Sequence, residues 1–321
     1  MSLSDGDRLI VNDMMRSQLS ALLNERGCEK GVPSWDNLLA LSPTEREFTT
    51  LGPPIQYMKD FSYIKPEHLP LREELAMYVK RDSFPLPQPE DREGYGDGRH
   101  FEYWMSGLWD YLLLRDRLEE GGAALRPKTR ILDFGCASGR VVRHFLCQES
   151  GRLDLYASDL NSAHVRWITQ YLRGNIKVFQ NHVLPCLPIE DNFLDLVYAY
   201  SVFTHIDSLS ESWMLELRRI LKPGGVAYLT IHSEHTWSNM REEYPVYKVL
   251  QQNPDFSPEL LKSDLPERRV VFRIPTGSVY GANVFIHTSY VRRVWGALFD
   301  VLHVIPEGYA YQDIVVLQKP A

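Results

Sequence analysis

The sequence predicts an α/β fold, a mostly parallel sheet covered by helices, and three observations carry that expectation. After Pro127, short apolar runs alternate with helical segments. The first run, RILDF at 130–134, leads straight into a glycine-containing turn and then a helical pattern, as a βα unit does. Two apolar runs near the end, FDVLHVIP and DIVVLQK, are separated by only a few residues, which suits a hairpin rather than a crossover.

Taken in order, strands are expected at RILDF (130–134), LDLYASD (153–159), IKVFQ (176–180), LDLVYAY (194–200) and VAYLTIH (226–232). Helices are expected at 139–149, 161–173, 211–221 and 288–299. Residues 233–286 are too many for a plain connection. They hold a helix-like stretch around 240–252 and two segments, RRVVFRI (268–274) and GANVFI (281–286), that could pair. An insertion at the carboxyl ends of parallel strands reads as a lid or substrate loop, with a subunit contact as the alternative.

Upstream, Val11, Met14, Met15, Leu19, Leu22 and Leu23 share one face of a helix over 7–26. Nine prolines between Pro33 and Pro89 then dictate short helices joined by extended connectors. Tyr103, Trp104, Leu108, Tyr111, Leu112, Arg115 and Leu118 return to helical spacing before Gly121-Gly122. The expected division is a helical and irregular cap over 1–104 and an α/β domain over 105–321, with 233–286 as its insertion.

The chain has 321 residues, 44% hydrophobic and 24% charged, a composition that supports a packed core and excludes a disordered chain. Its net charge of -7 leaves no basic surplus for a phosphate backbone or an anionic bilayer, so neither nucleic acid nor membrane is an expected partner. No run approaches the roughly 18 apolar residues of a membrane span. MSLSDGDRLI lacks the basic-then-apolar order of a secretory signal, and a cytoplasmic location is expected. Cys28, Cys136, Cys147 and Cys186 form no CxxC pair and no metal-ligand spacing, so reduced thiols are expected and no metal.

The chemistry concentrates after the first strand, in Asp133-Phe134-Gly135-Cys136-Ala137-Ser138-Gly139. Gly135 and Gly139 permit a tight turn and close approach of a ligand, and the following helix start offers N–H groups to an anionic group. Asp159, twenty residues after Gly139, ends the second strand, where a carboxylate can accept both hydroxyls of a ribose. That pairing points to a nucleoside-containing cofactor. The turn is not G-x-G-x-x-G, and Asp133 before it would repel a pyrophosphate while suiting a cofactor with a cationic amino-acid portion.

With these residues in place the sequence resembles the class I S-adenosylmethionine-dependent methyltransferases. The resemblance rests on ILDFGCASGR (131–140), YASDL (156–160), LPIEDNFLDLVYAYSVFTHI (187–206) and LRRILKPGGVAYLTIH (217–232), in the expected order. It implies a Rossmann-like seven-stranded sheet, mostly parallel with an antiparallel last strand. It also implies S-adenosylmethionine as cofactor: Asp133, Gly135, Ala137 and Gly139 at the methionine portion, Asp159 at the ribose, and Leu160 and Asn181 at the adenine. Tyr200 and Ser201 would lie beside the sulfonium, with strand-end packing as the alternative. Ala137 stands where many members have a second glycine, and Val183 lies near the place of an acid that contacts adenine. The ending HTSYVRRVWGALFDVLHVIPEGYAYQDIVVLQKP looks like a bacterial group from glycan and secondary-metabolite pathways.

The expected activity is methyl transfer to a small-molecule acceptor, a hydroxyl of a sugar or secondary metabolite. An N-methyltransferase acting on a small amine, an inactive cofactor-binding interaction protein and a nicotinamide enzyme are the alternatives. A hydroxyl acceptor needs a base. His205, in SVFTHI after the fourth strand, is the first candidate and His232 the second, each with a structural role as the alternative. His235 lies in the loop beyond His232, and Tyr280 and His287, at the end of the insertion, could face the acceptor.

Overall fold

The computed structural model describes residues 78, 81–82, 84–95, 100–149, 151–273 and 281–321. The expected helix at 7–26, most of the proline-rich stretch and Tyr280 lie outside them.

Seven strands form one sheet in the order β3-β2-β1-β4-β5-β9-β8. Strands β1 (Arg130–Phe134), β2 (Asp154–Asp159), β3 (Ile176–Gln180), β4 (Leu194–Ala199) and β5 (Leu221–Ile231) come first in the chain. Parallel pairings join β1 to β4, β2 to β3 and β4 to β5. Strands β8 (Asp300–Tyr309) and β9 (Gln312–Gln318) form the expected hairpin, and β9 is antiparallel to both β5 and β8. A two-stranded antiparallel ribbon joins β6 (Arg269–Arg273) to β7 (Ala282–Ile286), the pairing anticipated for the insertion. The fold is thus α/β with a mixed seven-stranded sheet, a helical region before it and an insertion after β5.

The described chain packs as two compact units, one taking the residues up to Thr129 and Cys136–Gln180, the other Arg130–Gly135 and Asn181–Ala321. In the first, helix α1 (His100–Glu120) buries Tyr103, Trp104, Leu108, Tyr111 and Leu118. It approaches the chain at Arg140 so closely that a Cβ on Gly107 would lie 2.0 Å from the Arg140 carbonyl oxygen, so only glycine fits there. Helix α2 (Val142–Gln148) starts three residues later than the sequence pattern places it, because residues 137–141 continue the turn. Arg143 of α2 is fully buried, with Nε and Nη2 donating to the two Asp82 carboxylate oxygens at 2.7 and 3.0 Å. Its remaining donors reach the carbonyls of Phe84 and Pro85, and Trp104 Nε1 donates to Asp82 at 2.7 Å. This buried ion pair clamps the stretch 84–87, a strap that runs on toward Tyr95. Helix α3 (Ser162–Tyr171) is capped by Asn161, whose side chain accepts from the Ala163 N–H at 2.9 Å.

In the second unit, helix α4 (Ser210–Ile220) buries Trp213, Met214, Leu217 and Ile220, with Trp213 against Phe134. The insertion contains helix α5 (Glu234–Ser238), opened by a Ser233/Thr236 capping box, and helix α6 (Pro245–Leu250). It carries its own apolar cluster, in which Trp237, Tyr244, Tyr247, Leu250, Leu265, Phe272 and Phe285 are buried together. Helix α7 (Thr288–Val294) is shorter than the expected 288–299, because the chain tightens into a 3-10 turn at Trp295–Ala297.

Candidate functional site

After β1 the backbone is left-handed at Gly135 (φ 77°), the last residue of its stretch in the second unit, and at Ala137 (φ 44°) and Gly139 (φ 80°) in the first. Alanine carries its Cβ into this region at a cost that glycine avoids, so Ala137 is strained where a glycine would not be. Its N–H donates to Asp159 Oδ2 at 2.8 Å, and the Asn161 N–H donates to Asp159 Oδ1 at 2.8 Å. Two backbone donors thereby fix the carboxylate at the end of β2.

Elements not foreseen from the sequence complete this corner. Ser138 Oγ donates to the Asp91 carbonyl at 2.5 Å, tying the strap to the turn. His164 of α3 has Nε2 3.2 Å from Glu93 Oε1 and Nδ1 3.6 Å from Asp159 Oδ1. Burial opposes a charge on this imidazole, but the Asp159 and Glu93 carboxylates outweigh it and hold its pKa above the ordinary value. Glu93 is shifted upward, chiefly by burial, with Asp159 and Asp91 adding to the rise against the pull of His164. The Leu160 carbonyl accepts from Gln180.

In the second unit Asp133 is buried in β1, in register with Tyr198 of β4. Asn181 is 5% exposed and its Nδ2 donates to the His182 carbonyl, which fixes the amide orientation. No donor among the described residues reaches its buried Oδ1. A buried acceptor without a donor fits an exocyclic amine such as that of adenine. Val183 is exposed.

At the end of β4, Tyr200 is half-buried with its ring 4.8 Å from that of Tyr309 and 5.9 Å from those of Tyr198 and Tyr228. Ser201 sits at φ 56°, its N–H donating to Thr230 Oγ1 at 2.7 Å and its hydroxyl engaging the Gln312 amide. A non-glycine residue in this region is strain held by its surroundings. The following turn closes with the His205 N–H on the Val202 carbonyl. His205 Nδ1 lies 2.8 Å from the Ala282 carbonyl oxygen, which can only accept, so Nδ1 carries the proton and Nε2 the lone pair. Burial pushes the His205 pKa down, against the opposing effect of that hydrogen bond, and favours the neutral imidazole.

His232 is placed differently. It is 2% exposed, with ring centroids 5.2 Å from Phe285 and 5.7 Å from Tyr311, and burial together with nearby His205 pushes its pKa down to about 3. His235 pairs with Glu307 at 3.3 Å. His287 Nδ1 caps α7 by accepting from the Ser289 N–H. Among the described residues no cluster of His, Cys, Asp and Glu could hold a metal ion, and no helix is long and apolar enough to cross a membrane.

The sequence between 132 and 229 matches the methyltransferase domain family. A ubiquinone/menaquinone biosynthesis C-methyltransferase of Cupriavidus taiwanensis is 28% identical over 137 residues, which cover 40% of this chain and 54% of that protein. A sterol 24-C-methyltransferase of Gibberella zeae is 30% identical over 105 residues, covering 32% of this chain and 27% of its own. The chain therefore spans about half the length of the first of these relatives and about a quarter of the second. A solved S-adenosylmethionine-dependent methyltransferase from Clostridium acetobutylicum is 13% identical, with a TM-score of 0.46, covering 69% of this chain and 92% of that one. The stretch matched to the methyltransferase domain family runs from β1 into β5 of the seven-stranded sheet.

Proposed function

We propose that the chain transfers a methyl group from S-adenosylmethionine to a small-molecule acceptor, a hydroxyl of a sugar or secondary metabolite. The observation that carries the cofactor half is the Asp159 carboxylate, fixed by the N–H groups of Ala137 and Asn161. In this reading Asp159 binds the ribose diol, Asn181 Oδ1 accepts from the adenine amine and Leu160 packs on the base. Asp133 and the turn at Gly135, Ala137 and Gly139 take the methionine portion, and Tyr200 and Ser201 stand beside the sulfur. When bound, the cofactor supplies an electrophilic methyl group on a good leaving thioether. The protein's remaining tasks are to orient the acceptor, exclude water and accept a proton.

His205 is the residue assigned to the proton. Its lone pair is on Nε2 and its depressed pKa keeps it unprotonated at neutral pH, the state a base requires. His232 is the second candidate, and its two flanking aromatic rings favour a supporting role. A hydroxyl acceptor agrees with the likeness of the chain's ending to methyltransferases of glycan and secondary-metabolite pathways. The two curated relatives are named as C-methyltransferases, and a carbon acceptor also loses a proton, so the same base serves either acceptor atom. The alternatives are a small amine, which can bind neutral and shed its proton afterwards, and a cofactor-binding interaction protein without turnover.

A screen of sugars, phenols and amines with labelled methyl donor tests the reading. His205→Ala should lower kcat on a hydroxyl acceptor by about 10²- to 10⁴-fold while changing cofactor affinity little. A near-normal rate would remove His205 from the mechanism. A small loss on an amine acceptor would favour N-methylation.

A further inference from the structure

The loop that carries His205 is bonded to the insertion rather than standing alone. Strand β7 supplies the Ala282 carbonyl to His205 Nδ1 at 2.8 Å, and the Val284 N–H donates to the Thr204 carbonyl at 2.8 Å. From the paired strand β6, Arg269 Nη2 donates to the Ile206 carbonyl at 2.7 Å and to the Asp207 carbonyl at 3.2 Å. The Arg269 side chain is only 15% exposed, and its nearest carboxylate, on Glu211, stands 3.8 Å away. Removal from water makes hydrogen bonds valuable to this guanidinium, and those of Nη2 go to the backbone carbonyls of the two residues that follow His205. Exposed Arg273 adds an ion pair to the Asp207 carboxylate at 2.8 Å.

We propose that Arg269 is a positioning residue that locks the 204–207 loop against β7, so that the Ala282 carbonyl selects the Nδ1–H tautomer of His205 and leaves the lone pair on Nε2. The inference rests on the reading of His205 as the acceptor's base and assigns the β6–β7 ribbon a fixed role in that chemistry. Without the Arg269 bonds the loop keeps only its contacts with β7 and the exposed Arg273–Asp207 pair, and His205 can leave the carbonyl that sets its tautomer. A free imidazole prefers the proton on Nε2, the nitrogen that a base needs empty.

The test is a long-range proton–nitrogen spectrum of the full chain with ¹⁵N-labelled histidine, the His205 signals being identified by their loss in His205→Gln. Wild type should show the Nδ1–H tautomer. Arg269→Gln should shift the population toward Nε2–H and raise the titration midpoint toward the ordinary histidine value. Arg269→Lys, which keeps one donor, should fall between them, and Arg273→Gln should match wild type. If Arg269→Gln does not fold, the comparison of Arg269→Lys with wild type decides. An Nε2–H tautomer in wild type, or a folded Arg269 variant with unchanged tautomer and midpoint, would overturn the proposal. The spectra need neither methyl donor nor acceptor. A tautomer change in a chain without methyl transfer would therefore defeat the functional reading alone, and methyl transfer through His205 without a tautomer change would defeat the positioning alone.

Discussion

Nε2 of His164 stands 3.2 Å from a carboxylate oxygen of Glu93, which places a histidine of the first unit between the strap and the acid that ends β2. Its raised pKa means that the protonated imidazole stabilises the folded arrangement. That contribution is complete below the unfolded value of about 6.5 and is lost as pH rises through the folded value. Glu93, also shifted upward, acts in the same direction at lower pH. We expect the melting temperature of His164→Gln to lack part of the wild-type decline on the alkaline side of neutrality. Parallel melting curves for the two proteins from pH 6 to 9 would contradict this.

The Asp82–Arg143 pair predicts a large and asymmetric mutational cost. Both side chains are fully buried, and removing one partner leaves the other charged group without compensation. Asp82→Ala should cost about 3–5 kcal/mol, measured by denaturant unfolding. The double change Asp82→Leu with Arg143→Met should recover much of that loss. A single-variant cost under 1 kcal/mol would show that the strap is not held by this pair.

The strands and both hairpins were legible because their signal is local. Apolar runs marked β1 to β4, and short spacing marked β8 with β9. Strand β5 was harder: it starts at Leu221, since Leu221 already pairs with Leu194 and a bulge absorbs part of the Lys222-Pro223-Gly224-Gly225 stretch that reads as a turn. The glycine turn and Asp159 were legible because a backbone turn and a strand-end acid leave their mark in sequence. The clamps were not. Asp82 and Arg143 are 61 residues apart, Arg269 and Ile206 are 63 apart, and no spacing rule connects such pairs. Arg143 even interrupts the apolar run VVRHFL, where the pattern alone gives no reason for a charge.

Strain at Ala137 yields a stabilising substitution. Left-handed backbone costs an L-residue roughly 1–2 kcal/mol, and the greater unfolded-state freedom of glycine returns about 0.5–1 kcal/mol of that. Ala137→Gly should therefore raise stability by about 0.5–1 kcal/mol by denaturant titration, with cofactor affinity retained. A destabilised variant would mean that the Ala137 methyl group makes contacts worth more than the strain.

Two buried histidines set the acid limit. Burial pushes His144 and His232 each down to about 3, so in the pH window between about 3 and 6.5 the unfolded chain binds more protons than the folded one. The contribution of these two histidines to stability should be fully present above pH 6.5 and fall as pH drops toward 3. Unfolding at pH 5 should take up protons, and His232→Phe should reduce that uptake. An uptake unchanged in the variant would contradict the assignment for His232.

The most direct test of the central claim is calorimetric titration of the full chain with S-adenosylhomocysteine, beside Asp159→Ala and with NAD as a control. The account predicts one binding site for S-adenosylhomocysteine and none for NAD. It also predicts an affinity loss of about 1.5–3 kcal/mol in Asp159→Ala, the range for hydrogen bonds to a charged group. Absent binding of S-adenosylhomocysteine by the folded wild-type chain, or an affinity unchanged in the variant, would contradict it.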